Sequence, residues 1–280
     1  MREPKKDRNR EVGVNRKIAL LIPVYNEPEG LRRSLESLPL EVPLDVVVVD
    51  DGSDPPLSLP EVPPPHRAFL VRLERNGGIV RALNEGLRFI LERGYPYVAR
   101  LDAGDLALPG RFSAQLRFLE ERPECALVGG QVRFVDMEGR ETHREAFPTE
   151  DGAIRKAMRG RNVFIHPAVM IRAQALREVG FYREGYPAGE DYELFFLLTR
   201  RYRVANLGEA VVVYQVNPNG ISLRNRRAQL LSRLRVQLEN FDPGLKESWL
   251  GVAKTLALLL TPWSVVQGLK RRLSGRSGWL

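Results

Sequence analysis

A single cysteine, Cys125, stands in the whole chain, so no internal disulfide can form. The three histidines, His66, His143 and His166, have no cysteine cluster to join, which leaves no donor set for a structural zinc. The N-terminus, Met1-Arg2-Glu3-Pro4-Lys5-Lys6-Asp7, lacks the apolar core of a signal peptide. With the cysteine usage this points to a reducing, cytoplasmic location. The charge-free stretch Thr255 to Leu269 is too short to cross a bilayer: as a helix it spans about 22 Å against a hydrocarbon core of about 30 Å, and Pro262 interrupts it. Neither Gly-x-Gly-x-x-Gly nor a Walker A run occurs, so dinucleotide oxidoreductases and P-loop NTPases lose their usual support.

What is present is ample for a core. The 280 residues are 43% hydrophobic and 28% charged, with 24 Gly and 20 Pro, which fits one large domain or two small ones and excludes disorder, collagen and coiled coil. The net charge of +8 is unevenly placed. From Arg224 onward there are eleven Lys/Arg against three acids, which accounts for the whole excess; the preceding 223 residues carry 32 charges of each sign. The basic character therefore belongs to a C-terminal module, and a nucleic-acid role for the main body finds no support.

The pattern along the chain alternates strand and helix. Residues 1–16 are polar without apolar periodicity and read as a flexible arm. Ile18 to Val24 is a continuous apolar run of strand length, and Glu29 to Leu38 follows with helical spacing. Val46 to Val49 is a second buried strand ending in Asp50-Asp51-Gly52-Ser53, and six prolines make 54–65 an irregular connection. Phe69 to Leu73 is a third strand, Ile79 to Arg93 a helix, and Tyr97 to Leu101 a fourth strand running into Asp102-Ala103-Gly104-Asp105. Continuous β-branched runs of this kind belong in a parallel sheet covered on both faces, and in such open α/β sheets ligands bind outside the carboxyl ends of the strands. Past Pro109 the pattern is α+β: helices over 111–121, after Glu150, over 173–179 and over 190–201, with strands over 126–135, 164–171 and 211–214.

Four blocks in order, Pro23-Val24-Tyr25-Asn26-Glu27, Asp50-Asp51-Gly52-Ser53, Asp102-Ala103-Gly104-Asp105 and Gly189-Glu190-Asp191, resemble a family 2 glycosyltransferase of the GT-A fold over about residues 17–225. The resemblance implies a Rossmann-like open sheet sandwiched by helices. It divides the chain into a nucleotide-binding half (17–108), an acceptor half (109–225) and a basic helical tail (226–280) that associates with membrane or docks on the domain. It implies an inverting enzyme that moves a hexose or deoxyhexose from a UDP- or dTDP-linked sugar to a saccharide or lipid-linked saccharide acceptor in cell-surface polysaccharide synthesis. The Gln-x-x-Arg-Trp signature of processive synthases is absent near residues 222–230, which favours single additions.

Each block has a chemical reason. A sugar nucleotide needs its base stacked, its ribose anchored and its diphosphate neutralised. Tyr25, with Pro23 and Val24, is placed to stack on the base, Asp51 to accept from a base N–H and Glu27 to reach the ribose; the bland alternatives are a strand-capping aromatic and an Asx turn. Asn76-Gly77-Gly78 with Arg81 and Asn84 resembles the family's third block, which implies that Gly78, at the helix start, and Arg81 face the donor; the alternative is that Arg81 is a solvated helix residue. The Asp-rich turn is expected to meet the diphosphate through Asp102, Ala103 and Gly104 and to hold Mg2+ or Mn2+ through Asp102 or Asp105, although Gly104 stands where the family usually has a carboxylate. Asn217 likewise stands where relatives often place a metal-binding histidine.

Inversion needs a carboxylate that takes the acceptor proton, and Asp191 is that candidate; Glu190 is structural or an acceptor contact. His166 lines the acceptor side or is a core histidine. In the tail, Lys254, Lys270-Arg271-Arg272 and Trp249, Trp263 and Trp279 suit an anionic lipid surface at the inner face of the membrane, against the alternative of a helix packed on the domain. The tail lacks the stacking aromatics of a single-strand binder, so nucleic acid is not an expected partner. Two other readings compete: a sugar-phosphate nucleotidylyltransferase, whose Gly-rich, Arg-containing loop is missing here, and a non-catalytic carbohydrate- or nucleic-acid-binding protein.

Overall fold

The computed structural model describes residues 17–216 and 225–261. The N-terminal arm, Asn217 and the tail tryptophans Trp263 and Trp279 lie outside these residues. The two all-apolar runs become the centre of the molecule: β1 (Ile18–Val24) and β2 (Leu44–Asp50) are buried along their whole length and pair in parallel, as β-branched residues covered on both faces require. β3 (Arg67–Arg72) adds in parallel to β2 at the edge, where its residues are half exposed, and β4 (Tyr97–Arg100) adds in parallel on the other side of β1. Crossovers are made by α1 (Pro28–Glu36), which starts on a proline whose missing N–H is no loss there, and by α2 (Ile79–Glu92).

α2 lies on β1 and β2 through a point of close approach. A Cβ added at Gly86 would stand 2.2 Å from Leu21 Cδ1 and 2.9 Å from Val49 Cγ2, so only glycine lets helix and sheet come this near.

Beyond β4 the sheet changes character. The remaining strands are β5 (Leu106–Ala107), β6 (Cys125–Val135), β7 (Glu141–His143), β8 (Met170–Arg172) and β9 (Arg203–Gln215). The full order is β3-β2-β1-β4-β8-β6-β9-β5, with β7 on β6. β8 is antiparallel to both neighbours, whereas β6 and β9 are parallel. One mixed sheet therefore runs through both halves of the chain. Helices α3 (Arg111–Glu121), α4 (Asp151–Met158), α5 (Ala173–Val179) and α6 (Glu190–Arg201) belong to the second half, and α7 (Arg226–Glu239) and α8 (Lys246–Leu260) form the basic module.

Two expectations need correction. The apolar run 164–171 is not a strand: His166–Ala168 is a single 3-10 turn and only Met170–Arg172 pairs, because Pro167 has no N–H for a ladder. The late strand is much longer than 211–214, spanning Arg203–Gln215, because its first half pairs with β6 despite carrying Asn206, Gly208 and Glu209.

Candidate active site

β1, β2 and β4 end side by side. The chain leaves β1 for β2 on one side and β4 lies on the other, which makes the gap between β1 and β4 the switch point at which open α/β sheets bind ligands. The loops at these ends are stitched to one another. Asn26 N–H donates to Ser53 Oγ at 3.0 Å and Asp54 N–H to Asn26 Oδ1 at 2.9 Å, so the Tyr25 loop and the Asp51 loop form one surface. Tyr25 itself is 51% exposed, unusual for a large aromatic and suited to a flat ligand. Pro23 and Val24 are buried beneath it as the last residues of β1, and Glu27 is exposed at the start of α1.

Asp51 has a busier role than its sequence suggests. Its Oδ1 accepts Gly77 N–H at 2.7 Å, and its Oδ2 accepts Gly78 N–H at 2.9 Å and the Asn76 side-chain amide at 3.0 Å. The carboxylate thus holds the start of α2 in place. The Arg81 stem passes over Gly77 and the residue is exposed at the same rim.

The turn after β4 is pinned from α1. Ser34 Oγ accepts Gly104 N–H at 2.9 Å and approaches the carbonyls of Asp105 (2.7 Å) and Asp102 (3.2 Å). Gly104 has φ +98°, a conformation that disfavours any side chain. Asp102 is half-buried, and its Oδ1 lies 2.5 Å from Arg100 Nη2. Asp105 is buried; its Oδ1 accepts Gln215 N–H at 2.9 Å and its Oδ2 has no partner. Burial first, and then the neighbouring Asp102 charge, hold the Asp105 carboxyl well above its ordinary range.

These residues do not fit a divalent ion held by the protein. One Asp102 oxygen is taken by a guanidinium, Asp105 faces the interior, Gly104 offers no ligand, and no cluster of three His, Cys, Asp or Glu suited to a metal exists among the described residues. What the chain can offer an ion riding on a diphosphate is the second oxygen of Asp102.

The opposite wall is built around Arg100, a fully buried side chain on β4. Its guanidinium donates to Leu21 O (2.7 Å), Leu101 O (3.1 Å), Asp102 and His166 Nε2 (3.2 Å). Because a guanidinium only donates, His166 Nε2 carries no proton and also takes the Tyr182 hydroxyl at 2.7 Å. Burial, then the Arg100 charge, push the His166 pKa well below its usual value, so the ring is neutral. Tyr182 is fixed in turn by Asn84, whose side chain makes two hydrogen bonds to the Tyr182 backbone.

Glu190 and Asp191 open α6 beside this wall. Glu190 is buried, and desolvation raises its pKa. Asp191 Oδ1 accepts Tyr192 N–H at 2.7 Å and Oδ2 accepts the Asn162 amide at 2.9 Å. Desolvation, followed by the charges of Glu190 and Asp102, raises its carboxyl from 3.8 to about 7. The shared field places Asp191 in the same site as Asp102, about ninety residues away in sequence. α7 backs the turn that carries it: Ser232 Oγ donates to Pro187 O at 2.9 Å, and its Cβ lies 2.8 Å from where a Gly189 Cβ would stand.

The site therefore contains residues that sequence motifs did not single out, namely Arg33, Ser34, Arg100, Asn162, Tyr182 and Gln215. Only Arg100 had a local signal, a charge inside an apolar strand. The other two histidines lie elsewhere in the chain. His66 Nδ1 accepts Leu44 N–H at 3.2 Å at the start of β2, and His143 belongs to β7.

A family model described as glycosyl transferase family 2 matches residues 19–180. The amylovoran biosynthesis glycosyltransferase AmsE of Erwinia amylovora is 31% identical over 248 residues, covering 82% of this chain and 87% of the relative. Among solved structures, S. aureus TarS in complex with UDP-GlcNAc superposes with a TM-score of 0.61 at 17% identity, over 86% of this chain and 71% of that one. The mannosyltransferase PcManGT of Pyrobaculum calidifontis, in complex with GDP-Man and Mn2+, gives 0.59 at 17% identity, over 95% and 77%. A nucleotidylyltransferase or a non-catalytic binder is thereby set aside: the chain is a glycosyltransferase of the GT-A fold and belongs to glycosyl transferase family 2.

Proposed function

We propose that the protein is an inverting, non-processive transferase that moves a sugar from a UDP- or dTDP-linked donor to a saccharide or lipid-linked saccharide acceptor in cell-surface polysaccharide synthesis. The observation that carries this reading is Asp191: a desolvated carboxylate at the mouth, oriented through both oxygens, with its pKa raised to about 7. A general base works best with a pKa near the operating pH, and each Asp191 oxygen keeps a lone pair for an acceptor hydroxyl. The acceptor oxygen attacks the anomeric carbon as its proton passes to Asp191, and the diphosphate leaves from the opposite face.

The donor lies over the β1 and β2 ends. Tyr25 stacks on the base, Asp51 and Gly78 shape the loop beneath it, Glu27 reaches the ribose and Asp102, Ala103 and Gly104 line the diphosphate. Glu190 and His166 bound the acceptor side. Bound UDP-GlcNAc in TarS and bound GDP-Man in PcManGT support a nucleotide sugar, and the amylovoran role of AmsE supports a polysaccharide product. Mn2+ accompanies GDP-Man in PcManGT. From this chain an ion arriving with the diphosphate would meet only the second Asp102 oxygen, and the proton transfer does not involve it.

The catalytic unit runs over 17–225 and the basic module over 226–280. α7 docks on α6, while α8 buries Ser248, Gly251 and Thr255 and exposes Trp249, Leu250, Leu256 and Leu260. Large apolar groups on the outer side of a helix in a strongly basic module suit peripheral binding to the anionic inner face of the cell membrane. Among the described residues no helix is long and apolar enough to cross a membrane.

The test is Asp191→Asn. Donor affinity is expected to stay within about two-fold while turnover falls by about a hundred-fold or more; a variant that keeps near wild-type turnover refutes the base assignment.

A further inference from the structure

The mouth holds a cation that neither the fold nor the transfer step uses. Arg33 sits on α1, half-buried, and Arg33 Nη2 donates to Gln215 Oε1 at 3.4 Å. Among the described residues it has no carboxylate partner, whereas its neighbours on the same helix are otherwise engaged: Arg32 pairs with Glu29 and Glu36, and Ser34 pins the Asp102–Asp105 turn. A Cβ added at Gly104 would stand 3.4 Å from Gln215 Oε1 and 4.0 Å from Arg33 Nη2. The guanidinium therefore hangs over the one position of the Asp-rich turn that has no side chain.

This placement is built. Asp105 uses its buried carboxyl to fix Gln215 N–H at the end of β9, Gln215 receives Arg33, and Ser34 fixes Gly104 opposite. α1 and the end of β9 thus converge on the turn that follows β4.

We infer that Arg33 is the diphosphate contact of this enzyme, with a guanidinium standing at Gly104 in place of a carboxylate-held cation. The inference rests on the nucleotide-sugar reading above. A guanidinium is permanently charged and its planar fork matches two phosphate oxygens, so it neutralises a leaving diphosphate with no ion bound to the protein. A carboxylate at position 104 would instead pair with Arg33 and remove it from the donor. Asp105 then acts as a positioning residue through Gln215.

The experiment is calorimetric titration of the full chain with UDP, dTDP and GDP in EDTA and again with Mn2+, repeated on Arg33→Gln and Arg33→Lys, with the matching nucleoside as control. The wild type is expected to bind its diphosphate in EDTA. Arg33→Gln should weaken that binding by about ten- to hundred-fold, the range for losing a contact to a charged group. Arg33→Lys should recover part of the loss, and nucleoside binding should be equal in all three proteins. Arg33 is half-buried on one turn of α1, so a thermal melt confirms that both variants fold, and the lysine variant still decides the matter if the glutamine one does not. Diphosphate binding that survives Arg33→Gln unchanged, or that appears in the wild type only with Mn2+, overturns the inference while leaving the nucleotide reading in place. No nucleotide binding under either condition overturns both.

Discussion

Replacing Asp191 by asparagine separates what this carboxyl does for the reaction from what it costs the fold. Its pKa rises from 3.8 to about 7 on folding, mainly because the folded site desolvates it. Roughly three units correspond to about 4 kcal/mol at 1.4 kcal/mol per unit. The sign follows from proton linkage. Below pH 4 both folded and unfolded chains keep the proton, and the group is neutral to stability. Between about pH 4 and 7 the unfolded chain gives up a proton that the folded chain retains, so stability falls as pH rises; above 7 the loss is complete. Asparagine has the same shape and does not titrate; its Oδ1 can still accept Tyr192 N–H, but its NH2 faces the Asn162 amide, whose own oxygen accepts Phe164 N–H, so the Asn162 bond is lost at every pH. Relative to the difference seen near pH 3, where both states of the wild type keep the proton, Asp191→Asn should therefore gain up to about 4 kcal/mol on the wild type in urea unfolding by pH 8. Over the same range the wild-type kcat/KM should climb about ten-fold per pH unit up to about 7 and then level, and the variant should lose about a hundred- to ten-thousand-fold in turnover. A stability difference that is flat with pH refutes the claim that the fold holds this carboxyl in a desolvated, proton-retaining state.

Three further outcomes are expected. Gly86→Ala puts a Cβ 2.2 Å from Leu21 Cδ1 and should cost about 1–3 kcal/mol, seen as a lower urea midpoint; an unchanged midpoint would mean that α2 does not approach the sheet this closely. Tyr25→Ala removes a half-exposed ring and should leave the melting temperature within about a degree while weakening nucleotide binding by about ten-fold or more, since stacking on a base is worth about 1–3 kcal/mol; equal affinity in titration would remove the ring from the site. Joint replacement of Trp249, Leu250, Leu256 and Leu260 by serine, all on the outer side of α8, should sharply reduce co-sedimentation with anionic vesicles and leave circular dichroism unchanged; unaltered sedimentation would refute lipid contact through this face.

Much of the architecture was legible in the sequence because β1 and β2 are unbroken apolar runs, and nothing but a covered parallel strand buries residues such as Val46 to Val49 on both faces. β8 was misread for the converse reason: 164–171 is equally apolar, but a proline at its centre and the packing of His166 against Arg100 and Tyr182 turn the backbone into a 3-10 turn. Asp51, Asp102 and Asp191 were readable as motif residues, yet their partners were not. Asn162 reaches Asp191 from 29 positions away, and Gln215 meets Arg33 across 182. Polar residues on ordinary helices and strand ends carry no local signal, and only the assembled sheet brings them to one mouth. The same distance hid the character of Asp105, which looks like a free turn carboxylate until β9 folds over it.

The stereochemistry of transfer tests the central claim most directly. Proton NMR of the reaction with the donor that titration selects, followed from the first minutes, reads the anomeric configuration of the new linkage before any equilibration. Direct displacement assisted by Asp191 predicts a linkage of the opposite configuration to the donor sugar. Retained configuration in the first product would contradict it, since a single attack from the face opposite the leaving diphosphate must invert the anomeric carbon.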